Sequence, residues 1–147
     1  MSATTSPLQP PTRTILLVED EDSVRQVTRH ALESAGYLVL EASSAEQALA
    51  AFRRFEGSIN LLLTDVVMPS MSGTELAAQL KVMHPGFATV FMSGYAGTAG
   101  LSQAVIGVPD YYLQKPFSIA MLLSRVAEAL GPGINPREVS IGTQLPF

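Results

Sequence analysis

The sequence of 147 residues contains no cysteine, and only 15% of its residues are charged. Without cysteine the chain forms neither a disulfide nor a thiolate metal site, so a reducing compartment is allowed. Lysine and arginine together number 9, against 13 acidic residues, and they are scattered along the chain. Because a nucleic-acid surface is normally basic, the net charge of −4 disfavours DNA or RNA as a partner.

Long apolar runs are missing as well. No stretch approaches the roughly 20 apolar residues that a membrane-spanning helix needs. The N-terminus lacks the apolar core of a signal peptide. We therefore expect a soluble, cytoplasmic protein with no membrane contact. Hydrophobic residues nevertheless make up 47% of the chain, which is enough for one well-filled core in a single domain.

Short apolar runs alternate with helical patterns between residues 14 and 131. This alternation is typical of an α/β protein with a parallel sheet and helices on both faces. Right-handed crossovers and short loops then favour a flavodoxin-like sheet of five strands in the order 2-1-3-4-5. Strands are predicted at residues 15–18, 37–42, 61–64, 89–93 and 110–114, with helices beginning near Ser23, Ser44, Gly73 and Ser118.

Three segments lack this pattern. Residues 1–13 are rich in serine, threonine and proline, which predicts a flexible leader. Residues 132–147 are predicted to be a tail or linker, because prolines recur in them and they are too short for a helix-turn-helix. Residues 96–109 carry no charge and are punctuated by glycine, so we expect only a short or irregular fourth helix there.

Polar residues follow the carboxyl ends of four predicted strands. Taken singly, a carboxylate after a strand is more typical of a helix cap or a solvated loop, and a lysine before proline is usually just exposed. In an open α/β sheet, however, these strand ends face one crevice in which ligands bind. Their joint occurrence at consecutive strand ends therefore indicates a site. The residues are Glu19 and Asp20 after strand one, Asp65 after strand three, Ser93 after strand four and Lys115 after strand five.

Three crowded carboxylates repel one another, and a hard cation such as Mg²⁺ relieves the repulsion because it prefers oxygen ligands. We expect Asp20 and Asp65 to be direct ligands and Glu19 to act through a water. With a metal beside it, one carboxylate can act as a nucleophile on phosphate. Lys115 would then neutralise charge on the transferring phosphoryl oxygens, and Ser93 could donate its hydroxyl to one of them.

With these motifs in place, the chain resembles the receiver domain of bacterial two-component response regulators over about residues 13–131. The resemblance implies that Asp65 accepts a phosphoryl group from a histidine kinase or a histidine phosphotransfer protein. It also implies that Glu19 and Asp20 form the acidic pair for Mg²⁺, with the backbone carbonyl of Val67 as a further ligand. The matching motifs lie at residues 15–21, at 64–69 with Met71 and Gly73, at 92–95 and at 115–117.

The same resemblance implies a conformational switch. Ser93 would be the switch hydroxyl, Lys115 the lysine that contacts the phosphate, and Tyr112 the switch aromatic on the fifth strand. Phosphorylation would remodel the face formed by the fourth helix, the fifth strand and the last helix, and so control an output protein or a fused domain. Residues 91–96 look similar to receivers of hybrid histidine kinases, although a single-domain regulator is also open.

Two positions depart from what fast hydrolysis needs. Val67 stands two residues after Asp65, and Tyr95 stands two residues after Ser93. Neither side chain has a carboxylate or an amide to position an attacking water, so slow self-dephosphorylation is expected. The acidic pair, Glu-Asp rather than the commoner Asp-Asp, should still bind Mg²⁺.

Other functions fit the sequence less well. An aspartate-nucleophile phosphohydrolase of the haloacid-dehalogenase kind needs a second aspartate where Val67 stands. A nucleotide or flavin module needs a glycine-rich phosphate loop after the first strand, and none is present. A pseudo-receiver that binds partners without phosphorylation is disfavoured because the site residues are intact.

Overall fold

The computed structural model describes residues 12–94 and 111–131. Within these residues, strands and helices alternate as the apolar periodicity predicts. The elements are β1 (Thr14–Val18), α1 (Asp22–Ser34), β2 (Leu38–Ala42), α2 (Ala45–Arg54), β3 (Leu61–Asp65), α3 (Gly73–Met83), β4 (Ala88–Ser93), β5 (Tyr111–Gln114) and, as α4 here, the last helix (Ile119–Leu130).

The strands form one parallel sheet in the order β2-β1-β3-β4-β5, which confirms the predicted flavodoxin-like topology. The chain leaves β1 to build β2 on one side and later returns to build β3 on the other. Strand order therefore reverses between β1 and β3, and the carboxyl ends of these strands border the crevice in which such sheets bind ligands.

The sheet is covered on both faces, so its central strands β1 and β3 are buried at every residue, whereas the edge strands β2 and β5 are partly exposed. In β1, Leu16 and Val18 pack with α2 and α3, whereas Ile15 and Leu17 pack with α1 and α4. Residues Ile15 to Val18 have no exposed surface. Two apolar layers thus hold the sheet rigid, and its carboxyl edge becomes a fixed platform for polar side chains.

Element boundaries differ from the sequence prediction by about one residue, and two differences have a clear cause. The second strand begins at Leu38 rather than Tyr37, because the Tyr37 N–H still donates to the Leu32 carbonyl (3.1 Å) and closes α1. Gly36 makes this possible with a φ of 101°. The third strand extends to Asp65, which pairs with Met92 of β4. Asp65 is therefore held in the sheet itself.

Several expectations fall on other parts of the chain. The tail, the irregular fourth helix at residues 96–109, and the leader apart from residues 12 and 13 lie outside the described residues. Among the helices that the structure describes, none combines the length and the apolar character needed to cross a membrane.

Candidate functional site

A lysine lies between two buried carboxylates at the carboxyl edge of the sheet. Lys115 Nζ is 2.7 Å from Glu19 Oε1 and 2.8 Å from Asp65 Oδ1. Glu19 is 1% exposed and Asp65 is 5% exposed, so neither carboxylate can rely on bulk water for its solvation. Because buried charges must be paired to be tolerated, Lys115 is the group that lets both carboxylates sit here.

The backbone places Lys115 directly after β5. Its N–H donates to the Ser93 carbonyl (2.8 Å), which continues the pairing of β4 and β5 by one residue beyond Gln114. The Lys115–Pro116 peptide bond is cis. From its position after β5, the Lys115 side chain extends across the end of β4 to Asp65 and Glu19.

The acidic loop, residues 19–21, is fixed by both its backbone and its side chains. The Glu19 N–H donates to the Ala42 carbonyl at the end of β2 (3.1 Å), and Glu19 Oε2 accepts the Glu21 N–H (3.0 Å). Arg25 Nη1 donates to the Glu19 carbonyl (2.9 Å). These contacts hold the Glu19 carboxylate inward, while the next residue, Asp20, remains exposed.

Asp65 is held by the loop that leads into α3. The Val66 N–H donates to the Met92 carbonyl (3.0 Å), and the Gly73 N–H donates to the Val66 carbonyl (2.8 Å). A Cβ on Gly73 would overlap the Asp65 carbonyl oxygen, so only glycine permits this approach. Ser72 begins α3 with a capping box, so the first turn of the helix is fixed against the end of β3.

The electrostatics separate the two buried carboxylates. Burial, reinforced by Glu19, raises the pKa of Asp65 to about 7, against the opposing effect of Lys115. Burial also acts on Glu19, but hydrogen bonding with Asp65 and Lys115 outweighs it and holds the Glu19 pKa below its ordinary value. Burial opposes the charge on Lys115, yet its bonds to Asp65 and Glu19 raise its pKa. In the metal-free site at a pH below the pKa of Asp65, the ionised pair is therefore Glu19 with Lys115.

The same edge has the donor set of a hard-cation site. One carboxylate oxygen each from Glu19, Asp20 and Asp65 can be chosen so that all three lie within 4.8 Å of one another. Carboxylate oxygens at such a separation suit Mg²⁺, which needs one or two of them and keeps several waters. The exposed Asp20 leaves the cluster open on its solvent side. The residues present therefore fit the metal that the sequence predicts.

Residues 15–127 match the family model of the response regulator receiver domain. The chain belongs to this family. The receiver is similar to the sensor kinase CckA of Brucella abortus, with 41% identity over 117 residues, which are 80% of this chain and 12% of the kinase. It is also similar to the response regulator receiver protein CpdR of the same organism, with 34% identity over 79% of this chain and 95% of that protein.

Solved structures give the same result for the fold. The receiver domain from the hybrid histidine kinase CckA has a TM-score of 0.69 and 36% identity, covering 80% of this chain and 99% of that one. A receiver domain protein from Clostridium thermocellum has a TM-score of 0.72 and 29% identity, covering 80% and 94%. The receiver covers only a part of some longer relatives. It spans 12% of the length of the kinase and 31% of the length of a cyclic di-GMP phosphodiesterase of Thermotoga maritima.

A cleft of about 540 Å³ opens at the receiver's carboxyl edge. Ser93 and Val67 line this cleft. The charged residues Glu19, Asp20, Asp65 and Lys115 line it as well. Tyr112 is placed elsewhere: it is half-buried on β5 and stacks on Phe91, with the ring centroids 5.5 Å apart. The structure thus gathers six of the seven predicted site residues around one cleft. Tyr95 lies outside the described residues.

Two contributors to the receiver's site were missed from the sequence. Arg25 binds the Glu19 carbonyl, and Glu41 of β2 accepts a hydrogen bond from Arg25 (3.1 Å). The sequence did contain one signal for Arg25. A cation near the N-terminus of a helix is unfavourable, because the helix dipole favours anions there, so an arginine at this position suggests a role outside the helix. The pairing of Arg25 with Glu41 had no sequence signal, because it depends on how β2 lies beside β1.

Proposed function

We propose that this receiver domain is a phosphorylation-dependent switch whose acceptor is Asp65. The donor is a histidine kinase or a histidine phosphotransfer protein. The observation that carries the proposal is the Asp65 carboxylate, which lies in an open cleft between Lys115 and a further acidic pair. A buried carboxylate that faces both a cation and a metal-binding cluster is suited to attack phosphorus rather than to stabilise a surface.

Glu19, Asp20, Asp65 and the backbone carbonyl of Val67 would hold Mg²⁺, with Glu19 acting through a water. Bound Mg²⁺ supplies positive charge beside the phosphoryl oxygens. An oxygen of Asp65 attacks the phosphorus and forms the aspartyl phosphate. The bond from phosphorus to the donor's histidine nitrogen breaks, and its electron pair stays on that nitrogen.

Two further side chains act on the transferred group. Lys115 Nζ is already 2.8 Å from Asp65 Oδ1, so it is placed to pair with a phosphoryl oxygen carried by that carboxylate. Ser93 lines the same cleft at the end of β4 and donates its hydroxyl to another phosphoryl oxygen. Both contacts exist only in the phosphorylated chain, so they favour a conformation that the free chain populates less.

The response reaches a partner through β5. Tyr112 stacks on Phe91, which stands two residues before Ser93 on β4. Movement of Ser93 toward the phosphoryl group therefore changes the packing that holds the Tyr112 ring. The surface around β5 and the helices beside it then binds, or releases, an output protein or a fused domain.

The relatives also support a proposal for the setting of this switch. Similarity to the sensor kinase CckA supports a place in a phosphorelay, either as the receiver of a hybrid histidine kinase or as a separate regulator in the cytoplasm. Residues 1–13 serve as a leader and residues 132–147 as a tail or linker around the receiver. We propose residues 14 and 131 as the boundaries of the receiver domain.

The test is phosphorylation by acetyl phosphate with Mg²⁺, followed by intact-mass measurement. Wild-type protein should gain one phosphoryl group per chain, and Asp65→Asn should gain none because the nucleophilic carboxylate is lost. Glu33→Gln removes one negative charge from an exposed residue of α1 and should label like wild type. Labelling of Asp65→Asn at the wild-type level would refute the assignment. Steady turnover of a general phosphatase substrate would favour the phosphohydrolase instead.

A further inference from the structure

Each of the three guanidinium nitrogens of Arg25 contacts a different group. Nη1 donates to the Glu19 carbonyl (2.9 Å), Nη2 pairs with Asp22 Oδ1 (2.7 Å), and Nε donates to Glu41 Oε1 (3.1 Å). Its side chain is only 15% exposed. One residue thereby connects three elements, namely the acidic loop after β1, the first turn of α1 and the end of β2.

Helix stability does not explain an arginine at this position. The first turn of α1 begins at Asp22, and a cation near a helix N-terminus opposes the helix dipole. Glu21 at the N-cap makes no side-chain cap bond, so α1 does not begin with an optimised cap either. The pair with Asp22 lies within α1 and, as an i,i+3 pair, contributes only a little to the stability of the helix. The two other contacts of Arg25, with the Glu19 carbonyl and with Glu41, lie outside the helix.

Two carboxylates compensate the charge of Arg25, which leaves its geometry as the main contribution to the loop. Asp22 and Glu41 each take one edge of the planar guanidinium, and this fixes the direction of the remaining N–H toward the Glu19 carbonyl. A lysine could supply the charge but not three donors in a rigid plane.

We propose that Arg25 is a positioning residue for the metal site, one that fixes the backbone of the acidic loop so that Glu19 and Asp20 present their carboxylates toward Asp65. The Glu19 peptide is held at its N–H by Ala42 of β2 and at its carbonyl by Arg25. Since β2 also carries Glu41, which accepts a hydrogen bond from Arg25, the acidic loop, Arg25 and β2 are joined in one set of contacts.

This inference rests on the proposed Mg²⁺ site and deepens it. Loss of Arg25 frees the Glu19 carbonyl and allows the 19–21 loop to rotate, so that the carboxylates must be ordered again when the metal binds. Partners that orient metal ligands typically change metal affinity by roughly 10–100-fold when removed. We expect Arg25→Ala to weaken Mg²⁺ binding roughly tenfold.

The experiment combines two measurements on the full chain. Calorimetric titration with Mg²⁺ gives the affinity, and NMR amide hydrogen exchange in EDTA gives the order of the loop without metal. The reporter is the Glu21 N–H, which donates to Glu19 Oε2 (3.0 Å). Arg25→Ala should bind Mg²⁺ more weakly and exchange the Glu21 amide faster than wild type. Arg25→Lys should resemble Arg25→Ala, because lysine lacks the rigid planar set of donors of the guanidinium.

Arg29→Ala is the matched control. Arg29 lies one turn further along α1 and also pairs with Glu41 (3.0 Å), but within the described residues its ion pairs are with Glu41 and Glu33 and not with the acidic loop. Its removal should leave Mg²⁺ affinity within about twofold of wild type, because exposed ion pairs contribute little. If Arg25→Ala fails to fold, the comparison of Arg25→Lys with Arg29→Ala provides the same test.

Wild-type affinity and amide protection in Arg25→Ala would overturn the inference. So would full recovery in Arg25→Lys, which would mean that charge alone matters, or an equal loss in Arg29→Ala, which would mean that α1 is generally weakened. Wild-type chain that neither binds Mg²⁺ nor labels at Asp65 would instead refute the proposed function. The exchange measurement in EDTA would still test the loop in that case.

Discussion

At the scale of single residues, Asp65 combines two demands that oppose each other. A nucleophile for phosphate must be ionised, yet burial and the neighbouring Glu19 raise the pKa of Asp65 to about 7. Lys115 relieves part of this conflict by pairing with both carboxylates. Mg²⁺ binding requires ionised carboxylates and would relieve the rest.

The raised pKa predicts how the metal-free protein responds to pH. Between the ordinary value of 3.8 and about 7, the folded state binds more protons at Asp65 than the unfolded state. The free energy of unfolding should therefore fall as pH rises from 5.5 to 8. Over this range Asp65 loses its proton in the folded state, and the stability that the bound proton contributes is lost with it. Urea denaturation in EDTA at several pH values measures the slope.

Two comparisons sharpen this measurement. Asp65→Asn removes the titrating group, so its slope in EDTA should be flatter than that of wild type or of the control Glu33→Gln. Saturating Mg²⁺ should stabilise wild type more at pH 8 than at pH 5.5, since binding and deprotonation are coupled. An unfolding free energy that rises across this window in EDTA would contradict the raised pKa.

We predict that Val67 controls how long a phosphoryl group on Asp65 persists. Its side chain is 66% exposed and lines the cleft, but it has no polar atom to orient an attacking water. We expect the aspartyl phosphate of the wild-type chain to decay over minutes or longer, and Val67→Asn to shorten its lifetime roughly tenfold by positioning water. Val82→Asn makes the same change at an exposed position of α3 and should have no effect. Wild-type decay within seconds would refute the prediction.

At the scale of elements, the contact of α3 with β3 fixes Asp65, the proposed acceptor. A Cβ on Gly73 would overlap the Asp65 carbonyl oxygen and press on the Thr64 side chain (3.1 Å). Gly73→Ala should therefore destabilise the fold by about 1–3 kcal/mol, as overpacking does, and reduce labelling of Asp65. Helix propensity alone predicts the opposite sign, because alanine is the better helix former.

Gly86→Ala is the control for this change. The nearest atom to a Cβ on Gly86 is His84 Nε2 at 4.0 Å, so the methyl group has space. Its unfolding free energy in urea should stay within about 0.5 kcal/mol of wild type. Equal stability of the Gly73 and Gly86 variants would show that the α3 contact is looser than the structure indicates.

Most elements were predictable because their signals are local. The apolar run before Glu19 and the serine cap at Ser44 before α2 each specify an element within a few residues of sequence. Strand order followed from general rules of connection, and so did the meeting of Asp65 with Lys115. The near-complete burial of Glu19 was not predictable, since a carboxylate after a strand is ordinarily solvated and only Lys115, distant in sequence, allows this one to be buried.

At the scale of the whole molecule, the described residues contain a sheet that is covered on both faces. Within residues 12–94 and 111–131, the buried apolar side chains of the sheet and its helices all lie between Ile15 and Val126. A chain trimmed to residues 12–131 should therefore unfold in one cooperative transition and label at Asp65 like the full chain. Circular dichroism during urea denaturation and acetyl phosphate labelling measure both properties. Loss of cooperativity would mean that the leader or the tail contributes to the fold.

The two edges of the sheet differ in how well they should tolerate changes to the chain. At the carboxyl edge, the Gly73 bond to the Val66 carbonyl closes the loop after Asp65 into a ring, so a change in its length would displace the acceptor. At the amino edge, the segment between α2 and β3 carries the exposed Ser58, far from the cleft. Because the chain has no cysteine, Ser58→Cys would accept a single fluorescent label without background. The chain can therefore carry one thiol-directed label at a defined position away from the candidate site.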